Sequence, residues 1–112
     1  MPKVEWNPLS KSNPVRSKAY RDFVRTCPCV CMEPNPIDDG CSGNVQFHHE
    51  KLGVPGGSKC SDLQGLPLCE YHHHVRTNYN GKWRAFYESR LIEPERKMLE
   101  LLNYFLANGG KL

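Results

Sequence analysis

The sequence predicts an α+β fold, a small single domain in which a zinc-stapled finger of two strands and one helix is flanked by further helices. All five histidines fall in two clusters, 48–49 and 72–74, and a cysteine precedes each cluster at Cys41 and Cys69. A glycine-rich loop separates the clusters, which can meet only if the strands around the loop pair with each other. A chain of 112 residues buries a modest core, so a metal staple is an economical source of stability.

Local residue patterns set the order of the elements. Prolines at positions 2, 8 and 14 predict an extended basic arm over residues 1–16, followed by one domain over 17–108. Helical and strand-like apolar spacing defines the elements inside that domain. They are a helix over 17–26, strands over 44–49 and 66–68, a helix over 70–78 and C-terminal helices over 81–108, with a turn-rich segment over 27–43 and a glycine-rich loop over 52–65.

Apolar side chains at helical spacing predict one apolar face for each of three helices. Pro94 is well placed to begin the last helix, and Asn108, followed by two glycines, is well placed to end it. The predicted faces comprise Tyr20, Phe23 and Val24 in the first helix, Trp83, Phe86 and Tyr87 in the helix over 81–90, and Met98, Leu101, Leu102, Phe105 and Leu106 in the last.

Composition excludes a membrane protein and favours a cytoplasmic one. Mean hydropathy is −0.64, and no run of about 18 apolar residues is present to span a bilayer. The first residues lack the apolar segment of a secretory signal, so we expect a reducing compartment in which disulfides are rare. The six cysteines are therefore interpreted as metal ligands or buried thiols.

The first 25 residues carry six basic side chains against two acidic ones. A basic segment interleaved with Trp6 and Tyr20 can neutralise phosphates, although surface segments are often basic for solubility alone. We therefore regard nucleic acid as a candidate partner, with Arg76, Lys82 and Arg84 each expected to be a solvated charge.

A zinc site is predicted from the spacing of cysteine and histidine. Cys69 and His72 form a C-x-x-H pair at a strand-to-helix turn, which lets a thiolate and an imidazole reach one tetrahedral ion. Cys41 is the third predicted ligand. The fourth is one of Cys27, Cys29 and Cys31, of which we favour Cys29, and Cys60 is interpreted as an incidental thiol.

Four motifs together resemble the HNH nucleases, especially small bacterial and phage-type nicking members of that family. They are FHH at 47–49, GGSK at 56–59, SDL at 61–63 and LPLCEYHH at 66–73. The resemblance covers a core motif over about residues 27–78 and is specific in the order of its parts. It implies a ββα-metal fold in which two strands and a helix hold one catalytic divalent ion beside a zinc that clamps the finger.

The resemblance also assigns roles by position. It implies that His48 and His73 bind the catalytic ion and that His49 is the general base. The family's motif asparagine, which orients the base, is replaced here by Asp62 or Gln64, and we favour Asp62 as a catalytic residue. Many members carry a further helix histidine where this chain has Thr77.

The implied activity is divalent-metal-dependent hydrolysis of DNA. A neutral imidazole, with an ordinary pKa near 6.5, accepts a proton from water at physiological pH better than a carboxylate does. Sparse protein ligation suits Mn²⁺ or Mg²⁺, and the products would carry 5′-phosphate and 3′-hydroxyl ends.

We expect contact with the DNA phosphate backbone, nicking with low sequence specificity, and a monomer or weak homodimer with no membrane partner. The alternative is a non-catalytic zinc-binding module that docks nucleic acid or protein. Such a module needs only its four zinc ligands, which leaves His48, His49 and His73 without a purpose. A redox protein is disfavoured because the chain has no C-x-x-C motif.

Overall fold

A computed structural model of the chain describes residues 14–51, 60–79 and 83–112, with the side chain of Trp83 left out. The described part combines helices with one antiparallel sheet of two strands, so its architecture is α+β. Its elements are α1 (Lys18–Thr26), β1 (Val45–His49), β2 (Gly65–Cys69), α2 (Glu70–Thr77), α3 (Trp83–Glu88) and α4 (Pro94–Ala107), with short 3-10 turns at Val30–Met32 and Asp62–Gln64.

Every predicted helix and strand has a counterpart within a few residues of its expected bounds. The two 3-10 turns were not predicted. Most of the predicted arm (1–13) and of the glycine-rich loop (52–59) lies outside the described residues. Among the helices in the described ranges, none has the length and apolar character needed to cross a bilayer.

The sheet brings the two histidine-bearing segments together. Strand β1 runs antiparallel to β2, with Val45 opposite Cys69 and His49 opposite Gly65. Strand β2 is buried along its whole length and passes directly into α2. Because adjacent strand residues point to opposite faces, His48 and His49 are directed to different sides of the sheet.

Two apolar clusters cover the sheet. Leu66 and Leu68 of β2 belong to the first cluster, which they share with Phe86 and Tyr87 of α3 and Met98 of α4. The second cluster joins Tyr20 and Val24 of α1 to Phe105 of α4, with Phe47 of β1 packed against it. The strand–strand–helix unit (β1, β2 and α2) is therefore held from both sides by the flanking helices.

The buried faces of α1 and α3 agree with prediction for the side chains described, whereas that of α4 differs at one position. Met98 and Phe105 of α4 are buried, but Leu106 is 48% exposed. Leu106 follows Phe105 directly and is rotated about 100° from it around the helix axis, so it leaves the core. It joins Leu99 among the exposed leucines of α4.

Gly65 is required by close packing against β1. A Cβ atom at this position would overlap the ring of Phe47. We expect Gly65→Ala to cost about 1–3 kcal/mol through overpacking, and thus to lower the melting temperature by several degrees. Thermal unfolding followed by circular dichroism measures the effect. In a Phe47→Ala background the same substitution should cost much less, and equal costs in both backgrounds would contradict the proposed contact.

Candidate functional site

Three cysteines and one histidine form a cluster that could hold a metal such as zinc. The ligand atoms of Cys29, Cys41, Cys69 and His72 all lie within 4.8 Å of one another. The Nδ1 atom of His72 is 3.2 Å from the sulfur of Cys69 and 3.6 Å from the sulfurs of Cys29 and Cys41. A tetrahedral zinc, with bonds of about 2.3 Å to sulfur and 2.0 Å to nitrogen, separates such atoms by about 3.5 Å. The donor set and its spacing therefore fit zinc.

The local backbone explains why these four residues meet. Cys69 ends β2 and caps α2, where its sulfur accepts the backbone N–H of His72 at 3.4 Å. Cys29 lies directly before the first 3-10 turn. Cys41 returns to the cluster through a loop in which Asp38 and Gly40 adopt positive φ angles, conformations typical of tight turns.

The two alternative upstream cysteines lie outside the cluster. Cys27 is half-buried, and its thiol lies 3.5 Å from the carbonyl oxygen of Phe23. Cys31 is buried and hydrogen-bonds to Cys29, which lowers the pKa of Cys29 far below its usual range and favours the thiolate that a metal requires. Cys60 is also buried and contacts Gln64 at 3.4 Å. None of the six cysteines forms a disulfide.

Asp39 orients the histidine of the cluster, a role that the sequence did not indicate. Its carboxylate accepts a hydrogen bond from Nε2 of His72 at 2.8 Å and another from Arg90 at 2.9 Å. An ionised carboxylate can only accept hydrogen bonds, so the proton between the two groups belongs to Nε2 of His72, and Nδ1 presents its lone pair to the three sulfurs. Histidines that bind metals commonly donate their second ring nitrogen to a carboxylate in this way.

We expect Asp39→Ala to weaken zinc binding by about 10- to 100-fold, the usual effect of removing such a partner. Competition with a chromophoric chelator measures the affinity. Glu33→Ala is the matched control, because Glu33 is exposed and, among the described residues, its carboxylate pairs with Lys97 at the surface, so its loss should change little. Equal zinc affinities for wild type and Asp39→Ala would contradict the role given to Asp39.

Two further histidines, outside the Cys₃His cluster, lie where β1 meets α2. The rings of His48 and His73 have centroids 5.0 Å apart, and Nδ1 of His73 hydrogen-bonds to the amide oxygen of Gln46. Burial and the neighbouring His48 lower the pKa of His73, so its neutral form prevails at neutral pH. Within the described ranges, no third His, Cys, Asp or Glu joins this pair in a metal-type cluster.

His49 is held from the other face of β1 by Asp62. Its Nε2 atom is 2.9 Å from Oδ1 of Asp62, while its side chain remains 39% exposed. Asp62 is 1% exposed and also accepts the backbone N–H of Ser17 at 2.7 Å and the guanidinium of Arg21 at 2.6 Å. Burial alone would raise the pKa of Asp62, but these hydrogen bonds lower it below its usual range. Of the two sequence candidates, Asp62 is therefore the one beside His49, while Gln64 contacts Cys60.

Two other α2 side chains lie at the helix surface. His74 is exposed and contacts Asn78, so it does not join the His48 and His73 pair. Thr77, at the position where many HNH members carry a histidine, hydrogen-bonds to the carbonyl oxygen of His73.

Several predicted surface charges are engaged within the protein. Arg76 was expected to be solvated, but its side chain is largely buried and forms an ion pair with Glu50. A buried carboxylate is costly without a partner of opposite charge, and Arg76 is that partner. Of the basic residues near the N-terminus, four form ion pairs with only two aspartates, namely Arg16 and Arg21 with Asp62, and Lys18 and Arg25 with Asp22. Lys82 lies outside the described residues.

Glu50 is a buried charge that sequence reasoning missed. It follows the histidine pair directly, is 2% exposed, and accepts hydrogen bonds from His48, Arg76 and Tyr87. Burial raises its pKa, but these three donors outweigh that effect and lower the pKa to about 2. A charged residue next to two histidines was the available signal, although its partners lie far along the chain.

Comparisons of the chain with protein-family models, with curated proteins and with solved structures gave no match. Its function must therefore be inferred from the chemistry of the residues assembled around β1, β2 and α2.

Proposed function

We propose that this chain is a divalent-metal-dependent DNA endonuclease of the HNH type, in which the strand–strand–helix unit is a ββα-metal finger clamped by zinc. One observation carries the proposal. His48 from β1 and His73 from α2 approach each other with ring centroids 5.0 Å apart, on the unit that also supplies Cys69 and His72 of the Cys₃His cluster. A pure zinc module gives no reason for two further histidines beside its four ligands.

The donor set of His48 and His73 fits a sparsely ligated cation. Two imidazoles leave most coordination positions to water and phosphate oxygens, which suits Mn²⁺, and Mg²⁺ to a lesser degree, because Mn²⁺ accepts nitrogen ligands more readily. When bound, the cation would supply positive charge that stabilises the scissile phosphate and its leaving oxygen.

His49 supplies the proton acceptor. Asp62 accepts a hydrogen bond from Nε2–H of His49 at 2.9 Å, so the second ring nitrogen keeps its lone pair and takes a proton from water. The water oxygen forms a bond to phosphorus as the bond from phosphorus to the 3′ oxygen breaks, and the released 3′ oxygen takes a proton from solvent. The products carry a 5′-phosphate and a 3′-hydroxyl.

The proposed substrate is the phosphate backbone of duplex DNA, cut one strand at a time with low sequence specificity. A single finger offers one set of reacting groups, so a monomer or weak homodimer would nick. Six cysteines without a disulfide suit a reducing compartment such as the cytoplasm.

The proposal is tested by incubating the zinc-loaded protein with supercoiled plasmid in Mn²⁺, in Mg²⁺ or in neither. We expect ion-dependent conversion to open circles, and loss of at least about 100-fold in His73→Ala. His74→Ala is the matched control, because the neighbouring His74 is exposed and outside the histidine pair. Absence of cleavage in every ion by folded, zinc-loaded protein would favour the alternative, a non-catalytic zinc-binding module.

A further inference from the structure

The geometry points to Glu50 as a positioning residue, which fixes the tautomer of His48 so that its Nδ1 atom is the one offered to the cation. This inference rests on the proposed function, since it concerns the same histidine. It adds a residue that neither the motif resemblance nor the sequence pattern assigns.

The contacts of Glu50 converge on one oxygen. Oε2 lies 3.0 Å from Nε2 of His48, 2.9 Å from Nε of Arg76 and 2.7 Å from the hydroxyl of Tyr87. The other oxygen, Oε1, receives the second guanidinium nitrogen of Arg76 at 2.5 Å. Glu50 therefore ties β1 to α2 and α3, with His48 attached to the centre of that network.

The bidentate contact with Arg76 identifies which partner carries the proton. A guanidinium that grips both oxygens of a carboxylate stabilises its ionised form, which can only accept hydrogen bonds. The hydrogen between His48 and Glu50 therefore belongs to Nε2 of His48. In a neutral imidazole this leaves the lone pair on Nδ1.

The two histidines of the pair are assigned opposite tautomers. Gln46 presents its amide oxygen to Nδ1 of His73, so His73 keeps its lone pair on Nε2. The predicted ligand atoms are thus Nδ1 of His48 and Nε2 of His73. Only the first of these depends on a buried ionised group, so loss of Glu50 should release His48 and leave His73 unchanged.

The first measurement is the tautomer of His48 in the ¹⁵N-labelled, zinc-loaded full chain, read from long-range ¹H–¹⁵N NMR spectra. We expect the Nε2–H form in wild type and a mixture of tautomers in Glu50→Gln. Tyr87→Phe is the matched control, because it removes another donor to the same oxygen and leaves the His48 contact in place. A wild-type His48 in the Nδ1–H form would overturn the inference even if Glu50→Gln fails to fold.

The second measurement is Mn²⁺ binding, followed by electron paramagnetic resonance of the free ion. We expect Glu50→Gln to weaken binding by about 10- to 100-fold and Tyr87→Phe to change it by less than about threefold. Equal losses in both variants would indicate a purely structural network and overturn the positioning role. If wild type nicks DNA but the His48 tautomer and the Mn²⁺ affinities of the variants differ from these expectations, only the Glu50 inference is wrong. If wild type binds no Mn²⁺, the proposed function is wrong as well.

Discussion

His49→Ala is expected to reduce plasmid nicking by about 10²- to 10⁴-fold, the usual contribution of a positioned general base. Mn²⁺ binding and zinc content should stay at wild-type levels, because His49 touches neither His73 nor the Cys₃His cluster. The fold should also persist, since the side chain is 39% exposed and Asp62 keeps its contacts with Ser17 and Arg21. Initial rates of open-circle formation, measured over a range of Mn²⁺ concentrations, give the loss directly.

Substitution of a proposed cation ligand should behave differently from His49→Ala. His73→Ala should be partly restored by raising the Mn²⁺ concentration, whereas His49→Ala should not. If His49→Ala nicks at the wild-type rate, the base must be another group. If His49→Ala instead loses Mn²⁺ binding, its role is that of a ligand.

Cys69→Ser is expected to abolish zinc binding and with it the cooperative fold. Structural zinc sites contribute roughly 10–16 kcal/mol of binding free energy, which is comparable with the whole stability of about 5–15 kcal/mol of a typical domain. Serine is itself a favourable helix cap, so the substitution removes the ligand while α2 keeps a capping side chain. Elemental analysis for zinc and thermal unfolding measure the two effects.

Cys27→Ser is the control for this prediction. Cys27 lies two residues from Cys29, yet its sulfur contacts Phe23 and stands outside the cluster. This variant should retain one zinc per chain and a wild-type melting transition. A Cys69→Ser protein that keeps its zinc and unfolds like wild type would contradict the cluster as the clamp of the fold.

The elements were predictable from sequence because their signals are local. Ser17 caps α1 through its own side chain, and Pro94 begins α4, so the residues that set each helix start lie within one helical turn of it. The pairing of β1 with β2 followed from the two histidine clusters, which could converge only in that arrangement. The spacing alone could not decide which upstream cysteine is the fourth ligand, because Cys27 and Cys31 each lie only two residues from Cys29.

The charged partners of the site were not predictable, because their contacts span long separations. Asp39 meets Arg90 51 positions further on, and Glu50 meets Arg76 after 26 positions. No local pattern distinguishes such acids from solvated ones, since burial is a property of the assembled fold.

Cys69 has three structural roles, because it ends β2, caps α2 and is a ligand in the cluster. Because the same short helix carries His73, occupancy of the zinc cluster and of the proposed cation pair should be thermodynamically linked, each raising the apparent affinity of the other. A strong chelator would then abolish nicking in two separable ways, by removing the labile cation and by removing zinc. Mild chelation should reversibly withdraw the labile ion, while prolonged treatment should cause a slower loss that added Mn²⁺ alone does not reverse.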